Sequence, residues 1–428
     1  MIAMKQQARH YKTQLAVIGT GLAGFAASIF ALDRGITTSQ VGNTGAVAYT
    51  TGYLDLLGSD TGNLINDPWK GLDALRRDEP DHPYARITND EVRAAFERFT
   101  SALSDMGIGY TEPGGRNLMA LLPSGVAKPT LSVPRTMVAG IDAYKAGSRA
   151  LIINFVGVQG FSAKELLANF KSSWPQITTT TLAFPDMESG APVYAEVMAR
   201  ALEVPATREK LAESIKQVLG DAECVGLPAV LGIHNPDAVH KEMQKLIGVP
   251  LFEIPTLPPS VPGIRLREMF EQVLPTQGLT LVPQQKAQRI ELDATGVKIY
   301  LEDSFGDVMI EAHAAILATG RFLSGGLGSD QDIVRETLMD IVVSQPANRA
   351  DWHRQDYFDP RGHPINRSGL QIDECFRPLN ADGTPVSERV FAAGTVLAHH
   401  DWVRQRCGAG VAIASAYKAV EAASKVPK

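Results

Sequence analysis

Apolar residues in this chain gather in short runs punctuated by glycine and proline, with stretches of helical period between them. The run Leu15-Ala16-Val17-Ile18 carries β-branched Val17 and Ile18 and reads as a strand buried on both faces. Gly19-Thr20-Gly21-Leu22-Ala23-Gly24 follows it, and Phe25 to Arg34 then reads as an Ala-rich helix stopped by Gly35. Ile36 to Val41 is a second, weakly apolar strand. Leu57 to Pro83, rich in Gly, Asp and Pro, reads as an irregular connection. Val92, Ala95, Phe96, Phe99 and Leu103 recur at helical spacing over Asn89 to Met106, and Gly107 ends that helix.

The pattern then repeats. Arg149 to Phe155 reads as a strand running into Gly157 and Gly160, and Ser162 opens a helix to about Phe170 with Glu165 three residues on. Helices are expected over Pro205–Leu219 and Asp237–Ile247, and strands over Cys224–Ile233 and Pro250–Ile254. Pro255, Pro258, Pro259 and Pro262 bar any regular element through that stretch and mark a crossing between domains. A helix over Ile264–Leu274 and a strand over Leu279–Val282 come next. Residues 290–320 read as a small β-meander ending in Ala318-Thr319-Gly320. Val390 to Thr395 is another apolar strand ending at a glycine, and Cys407-Gly408-Ala409-Gly410 opens a last helix, Val411 to Ser424.

These elements predict an α/β protein. The strand ending in Ala318-Thr319-Gly320, far downstream of the strand–glycine–helix unit at Gly19 to Gly24, resembles two-dinucleotide-binding flavoproteins, which implies a Rossmann-like, two-dinucleotide-binding flavoprotein fold, here with an inserted α/β cap domain. The expected parts are a flavin-binding segment over 1–60, an irregular and helical insertion over 61–145, the cap over 146–255, and the remainder of the flavin domain over 256–428. The second strand–glycine–helix unit lacks the G-x-G-x-x-G spacing, and we read it as part of the cap rather than as a second nucleotide site.

Composition adds exclusions. The 428 residues are 44% hydrophobic and 21% charged, ordinary for a chain with a full core. A net charge of −6 supplies no basic field for nucleic acid. Cys224, Cys375 and Cys407 are far apart and form no C-x-x-C, which argues for a reducing compartment and against disulfides or a chain-borne iron–sulfur cluster; no metal site is expected. No apolar run approaches the roughly 20 residues that span a bilayer. A cytoplasmic protein is expected, with any membrane contact made through partners.

The candidate chemistry starts at the glycines. Between a strand and a helix, G-x-G-x-x-G is a nucleotide or flavin fingerprint. Gly19 permits the tight turn, Gly21 lets a phosphate approach the main chain, and Gly24 lets helix pack on strand. Thr20, Leu22 and Ala23 complete a loop whose N–H groups face the phosphate at the positive end of the helix. Binders of a full dinucleotide place Asp or Glu about 20 residues further on to hold the adenosine ribose. This chain has Gln40-Val41-Gly42-Asn43 there. Either Asn43 substitutes, or the ligand has no second ribose; the second option favours FMN over FAD. Thr51 and Gly52 would let backbone pass close to an isoalloxazine ring, although an ordinary turn explains them equally. Thr319 and Gly320, then Gly394 and Thr395, bring later strands back to the cofactor. Gly408 and Gly410 open a helix whose positive end would stabilise negative charge on the reduced ring.

Taken in this order, the segments resemble the B subunits of anaerobic glycerol-3-phosphate dehydrogenases. The resemblance rests on the fingerprint, on Thr51-Gly52-Tyr53-Leu54-Asp55-Leu56-Leu57, and on Pro255-Thr256-Leu257-Pro258-Pro259-Ser260 with Gly263-Ile264-Arg265-Leu266. It extends through Ala318-Thr319-Gly320-Arg321-Phe322-Leu323-Ser324-Gly325-Gly326-Leu327 and the Gly394, Gly408 and Gly410 tail. It implies an FMN flavoprotein that works with a separate catalytic flavoprotein subunit and with an iron–sulfur, membrane-anchoring subunit. Together these oxidise sn-glycerol 3-phosphate to dihydroxyacetone phosphate and pass electrons to quinone. The segment His399-His400-Asp401-Trp402-Val403-Arg404 departs from the family by being more basic and aromatic. In a catalytic reading a base must reach the substrate hydroxyl, for which His399 and His400 are candidates. Arg265, Arg321 and Arg404 stand beside the cofactor turns and could grip the substrate phosphate. An electron relay without substrate chemistry is the competing expectation, and an unrelated FAD-dependent oxidoreductase of a small amino or hydroxy acid is a third.

Overall fold

The computed structural model describes residues 9–43, 45–187, 191–301 and 307–427. Two compact units emerge, each assembled from non-contiguous segments. The first comprises Met1–Ala46, Asp55–Phe99 and Phe270–Lys428, and the second Val47–Leu54 and Thr100–Met269. The stretch 55–99 thus belongs to the first unit and 256–269 to the second, so the division falls elsewhere than at residues 60, 145 and 255.

The first unit is built on a seven-stranded sheet. The fingerprint strand, Arg9–Ile18, is longer than its apolar core, because its polar half continues the pairing with Val308–Leu317. Thr38–Gly42 lies parallel on its other side, and Thr280–Pro283 lies parallel beyond that. Val308–Leu317 changes partner along its length. Its first half pairs antiparallel with Val297–Leu301, while Ala315 to Leu317 pair parallel with Val390–Ala392. The meander Ala287–Leu292, Val297–Leu301, Val308–Leu317 therefore forms as expected, apart from residues 302–306, which lie outside the described residues.

Helix Leu22–Asp33 is buried from Ala23 to Ala31, which its Ala-rich sequence allows: small side chains let it lie close against the sheet. Phe25 stacks on Phe270 at 4.7 Å between ring centroids, and Phe30 meets Tyr417 edge-on at 5.3 Å. Such ring pairs add about 0.5–1.5 kcal/mol beyond the area they bury.

The irregular connection expected over Leu57–Pro83 contains a helix, Pro68–Asp78. Asp67 caps it by accepting from the Lys70 N–H at 3.1 Å, Pro68 fits its first turn, and Trp69, Leu72 and Leu75 bury one face. The helix Asn89–Asp105 matches its expectation, as do Ala163–Phe170, capped by Ser162, and Gly408–Ala423. The Pro-rich stretch runs directly into Val261–Thr276, so Val261, Pro262 and Gly263 open that helix.

The second unit holds a four-stranded parallel sheet in the order Leu251–Ile254, Cys224–Pro228, Ala150–Phe155, Ile177–Leu182. The period-two rule sorts its core. Leu151, Ile153 and Phe155 enter one apolar cluster with Val225 and Leu227, while Ala150 and Ile152 enter another with Phe252 and Trp174. The expected strand Cys224–Ile233 stops at Pro228. No helix among the described residues is long and apolar enough to cross a membrane.

Candidate cofactor site

At Gly19 the chain leaves the sheet with φ +131°, and its N–H donates to the Val41 carbonyl at 2.7 Å. A Cβ there would stand 2.1 Å from the Ala318 carbonyl oxygen, so only glycine fits. Gly24 is equally constrained, since its Cβ would stand 2.0 Å from the Gly19 carbonyl oxygen. Gln40, wholly buried in the second strand, locks the turn: Nε2 donates to the Gly19 carbonyl at 2.8 Å, and Oε1 accepts from Ser28 Oγ on the helix at 2.8 Å. Thr20 is buried beside Gly42, whose Cβ would stand 2.6 Å from its Oγ1.

Gly21 is different. Among the described residues nothing lies within 4 Å of a Cβ built there. It is the N-cap of Leu22–Asp33 and supplies no side-chain cap, and among the described residues no acceptor meets the N–H groups of Leu22, Ala23 or Gly24. The turn thus presents open space and a row of unsatisfied donors, the arrangement that binds phosphate.

Two further turns meet this one. The Ala318 N–H donates to the Ile18 carbonyl at 2.9 Å, placing Ala318-Thr319-Gly320 against the fingerprint. Gly320 has φ +69°, and its Cβ would lie 3.6 Å from Thr395 Oγ1. Gly394, at φ +80°, donates its N–H to Ser415 Oγ at 2.8 Å, and its Cβ would stand 2.6 Å from the Ala23 Cβ. Among the described residues the buried Thr319 Oγ1 meets no partner. Among the described residues the N–H groups of Gly408 and Ala409, at the start of Gly408–Ala423, also lack acceptors. An orphaned hydroxyl, a vacant Gly21 flank and two uncapped helix starts fit a phosphate-bearing flavin. Asn43, at the end of the second strand, is exposed.

Other candidates are engaged in packing. Gly410 donates to the Asp55 carbonyl at 2.7 Å, and its Cβ would lie 2.1 Å from Tyr84 Oη, so it serves close packing of the helix. Thr51 and Gly52 belong to the second unit, where the Gly52 carbonyl accepts from Tyr110 Oη at 2.7 Å. Arg265 is in that unit too. It is 1% exposed, forks onto Glu253 with both contacts at 2.7 Å, and bonds the Gly232 carbonyl at 2.8 Å. That burial corrects the phosphate-grip expectation for Arg265. Arg321 needs the same correction, because its guanidinium is buried and points into main-chain carbonyls.

The two histidines also separate. His400 is fully buried, and burial holds its imidazole well below its ordinary pKa, so it stays neutral and out of a substrate's reach. His399, half-buried at φ +67°, lies 3.2 Å from Gln371 Nε2 through its own Nε2, and desolvation lowers its pKa. Arg404 is partly exposed, with Nη2 at 3.4 Å from the Tyr357 carbonyl. Sequence reasoning missed Gln40 and Ser415, whose one available signal was a polar residue within an otherwise apolar element.

Fold and site together define a flavin-binding α/β protein of the oxidoreductase type. The family described as "FAD binding domain" matches residues 14–411. The B subunit of anaerobic glycerol-3-phosphate dehydrogenase from Yersinia pestis bv. Antiqua is 28% identical over 413 residues, covering 95% of this chain and 96% of that protein. A probable B subunit of the same kind of enzyme from Halobacterium salinarum is 30% identical over 434 residues, covering 97% and 98%. The chain belongs to the FAD binding domain family and, within it, to the family of anaerobic glycerol-3-phosphate dehydrogenase B subunits. Among solved structures, 3-ketosteroid delta1-dehydrogenase from Sterolibacterium denitrificans is similar at 10% identity and TM-score 0.46, covering 97% of this chain and all (100%) of that one. The open form of a flavocytochrome c3 fumarate reductase is similar at 9% identity and TM-score 0.41, covering 97% and 78%.

Proposed function

We propose that this chain is the flavoprotein subunit of a complex that oxidises sn-glycerol 3-phosphate to dihydroxyacetone phosphate and passes electrons to quinone. The observation that carries the reading is the open, donor-lined turn at Gly21 in a chain that its B-subunit relatives match over 95% and 97% of its length. A bound flavin supplies the two-electron acceptor. The chain supplies the phosphate cradle at Gly19 to Gly24, with Thr319, Gly320, Gly394 and Thr395 around it, and Gly408 at the uncapped start of the last helix. FMN is the favoured form: the second strand ends in Gly42 and exposed Asn43, with no carboxylate for a second ribose. His399 is the candidate proton acceptor and Arg404 the candidate phosphate contact, since both retain exposure. The partners are a catalytic flavoprotein subunit and an iron–sulfur subunit that holds the complex at the inner membrane face. Mass spectrometry of the released cofactor distinguishes FMN from FAD, and the chains that co-purify identify the assembly.

A second reading, electron relay without substrate chemistry, is favoured by the burial of His400, Arg265 and Arg321 away from solvent. Anaerobic addition of glycerol 3-phosphate to the flavin-loaded chain separates the two. Prompt bleaching supports catalysis in this chain; an unchanged spectrum supports relay.

A further inference from the structure

Arg321 closes the turn Ala318-Thr319-Gly320, yet its side chain turns inward and is 8% exposed. Nε donates to the Thr395 carbonyl at 2.6 Å. Nη2 donates to the Leu397 carbonyl at 2.8 Å and the His400 carbonyl at 3.0 Å, and Nη1 donates to the Asn366 carbonyl. Four main-chain oxygens thus receive one guanidinium, and among the described residues no carboxylate pairs with it. Asp401, itself buried, attracts it from beyond ion-pair distance, and its own oxygens accept from the Arg404 N–H at 3.2 Å and Asn366 Nδ2 at 3.4 Å. The remaining neighbours bring little compensation. Burial keeps His400 and His82 neutral and holds the Cys407 thiol protonated, while Arg367 is matched by Glu79 at 2.9 Å.

Burial of a guanidinium without a direct counter-ion costs several kcal/mol. Desolvation draws Arg321 down to about 10, still protonated near neutral pH. The chain therefore keeps a permanent positive charge, shielded from solvent, directly beneath two of the three turns that meet at the cofactor site. Reduction adds negative charge to a flavin, and in a low-dielectric setting a fixed cation favours the reduced form more than the oxidised one. The uncapped N–H groups of Gly408 and Ala409 act in the same sense.

We propose that Arg321 is a positioning residue that ties the turns at Gly320 and Thr395 together and, through its charge, raises the reduction potential of the bound flavin. The proposal rests on the flavin reading given above. The test is a redox titration of the FMN-loaded chain, run alongside binding of oxidised FMN, for the native protein, Arg321→Lys and Arg321→Gln. Arg321→Gln is expected to weaken binding of reduced relative to oxidised FMN by at least tenfold, a fall of about 30 mV for a two-electron couple. Arg321→Lys is expected to restore most of that ratio. An unchanged ratio in Arg321→Gln with FMN still bound overturns the proposal. Should Arg321→Gln fail to fold, the native protein decides alone. Its reduced FMN is expected to keep the anionic spectrum at pH values where free reduced FMN is protonated, and a protonated spectrum there overturns the proposal. Failure of the native chain to take up any flavin would instead sink the flavin reading itself.

Discussion

Gly19 and Ala318 touch backbone to backbone: a methyl group added at Gly19 would stand 2.1 Å from the Ala318 carbonyl oxygen. Neither partner can move without dragging a central strand. Gly19→Ala also carries the strain of φ +131°. Together these should destabilise the chain by about 2–5 kcal/mol and abolish flavin uptake. Urea unfolding and the flavin content of the purified variant check both outcomes.

Gly21→Ala separates binding from folding. Its φ is −84°, and among the described residues nothing lies within 4 Å of the added methyl, so stability should change by less than about 1 kcal/mol. The methyl would occupy the space offered to the phosphate. Flavin affinity is expected to fall at least about tenfold, roughly 1.4 kcal/mol. Fluorescence titration with FMN, beside a thermal melt, measures the two effects independently; parallel losses would contradict the assignment of that space to the ligand.

Glu253 and Arg265 form a buried pair in the second unit. Burial alone would raise the Glu253 carboxyl, but the Arg265 charge and hydrogen bonds outweigh it and hold the carboxyl below its usual range. Glu253→Gln leaves Arg265 buried without its counter-charge and should cost about 3–5 kcal/mol. Because the folded carboxyl is depressed, the native pair stabilises fully above the unfolded value of 4.5 and weakens as pH falls through the lower folded value. Arg265→Met with Glu253→Leu should recover much of the loss, a double-mutant comparison readable from urea midpoints.

His82 and His400 lie edge to face at 5.9 Å, both fully buried. Burial lowers His82 to about 3 from 6.5 and His400 well below 6.5. Unfolding frees both rings to take up protons, so the unfolded state gains below about pH 6.5. Each ring should remove about 1.4 kcal/mol of stability per pH unit over roughly pH 6 to 4. His400→Gln should flatten that dependence by about one ring's share, measured as melting temperature against pH.

The strand–glycine–helix turn at Gly19 to Gly24, the candidate cofactor turn, was legible because its signal is local. A strand, three glycines and a helix lie within about 20 residues, and each glycine has its own steric reason. The strand ends at Thr319-Gly320 and Gly394 were legible for the same reason. What lay hidden depends on distant chain. Gln40 reveals itself only when the Gly19 carbonyl and Ser28 stand on either side of it. Arg265 and Arg321 read as ligands because a cation beside a turn shows its charge but not which acceptors already hold it. Helix Pro68–Asp78 was overlooked because Pro68 and Gly71 look like breakers, whereas Asp67-Pro68 is a start signal and Gly71 nestles against Ile65 and Leu57.

The strand Val308–Leu317 is flanked on both edges for nearly its whole length, by Arg9–Ile18 on one side and by two successive partners on the other. Its amides should accordingly be the slowest in the first unit to exchange with deuterated solvent. The scaffold beneath Thr319 and Gly320 would then persist through every local opening short of complete unfolding, and a protein emptied of its chromophore would keep the receptacle in shape for reloading.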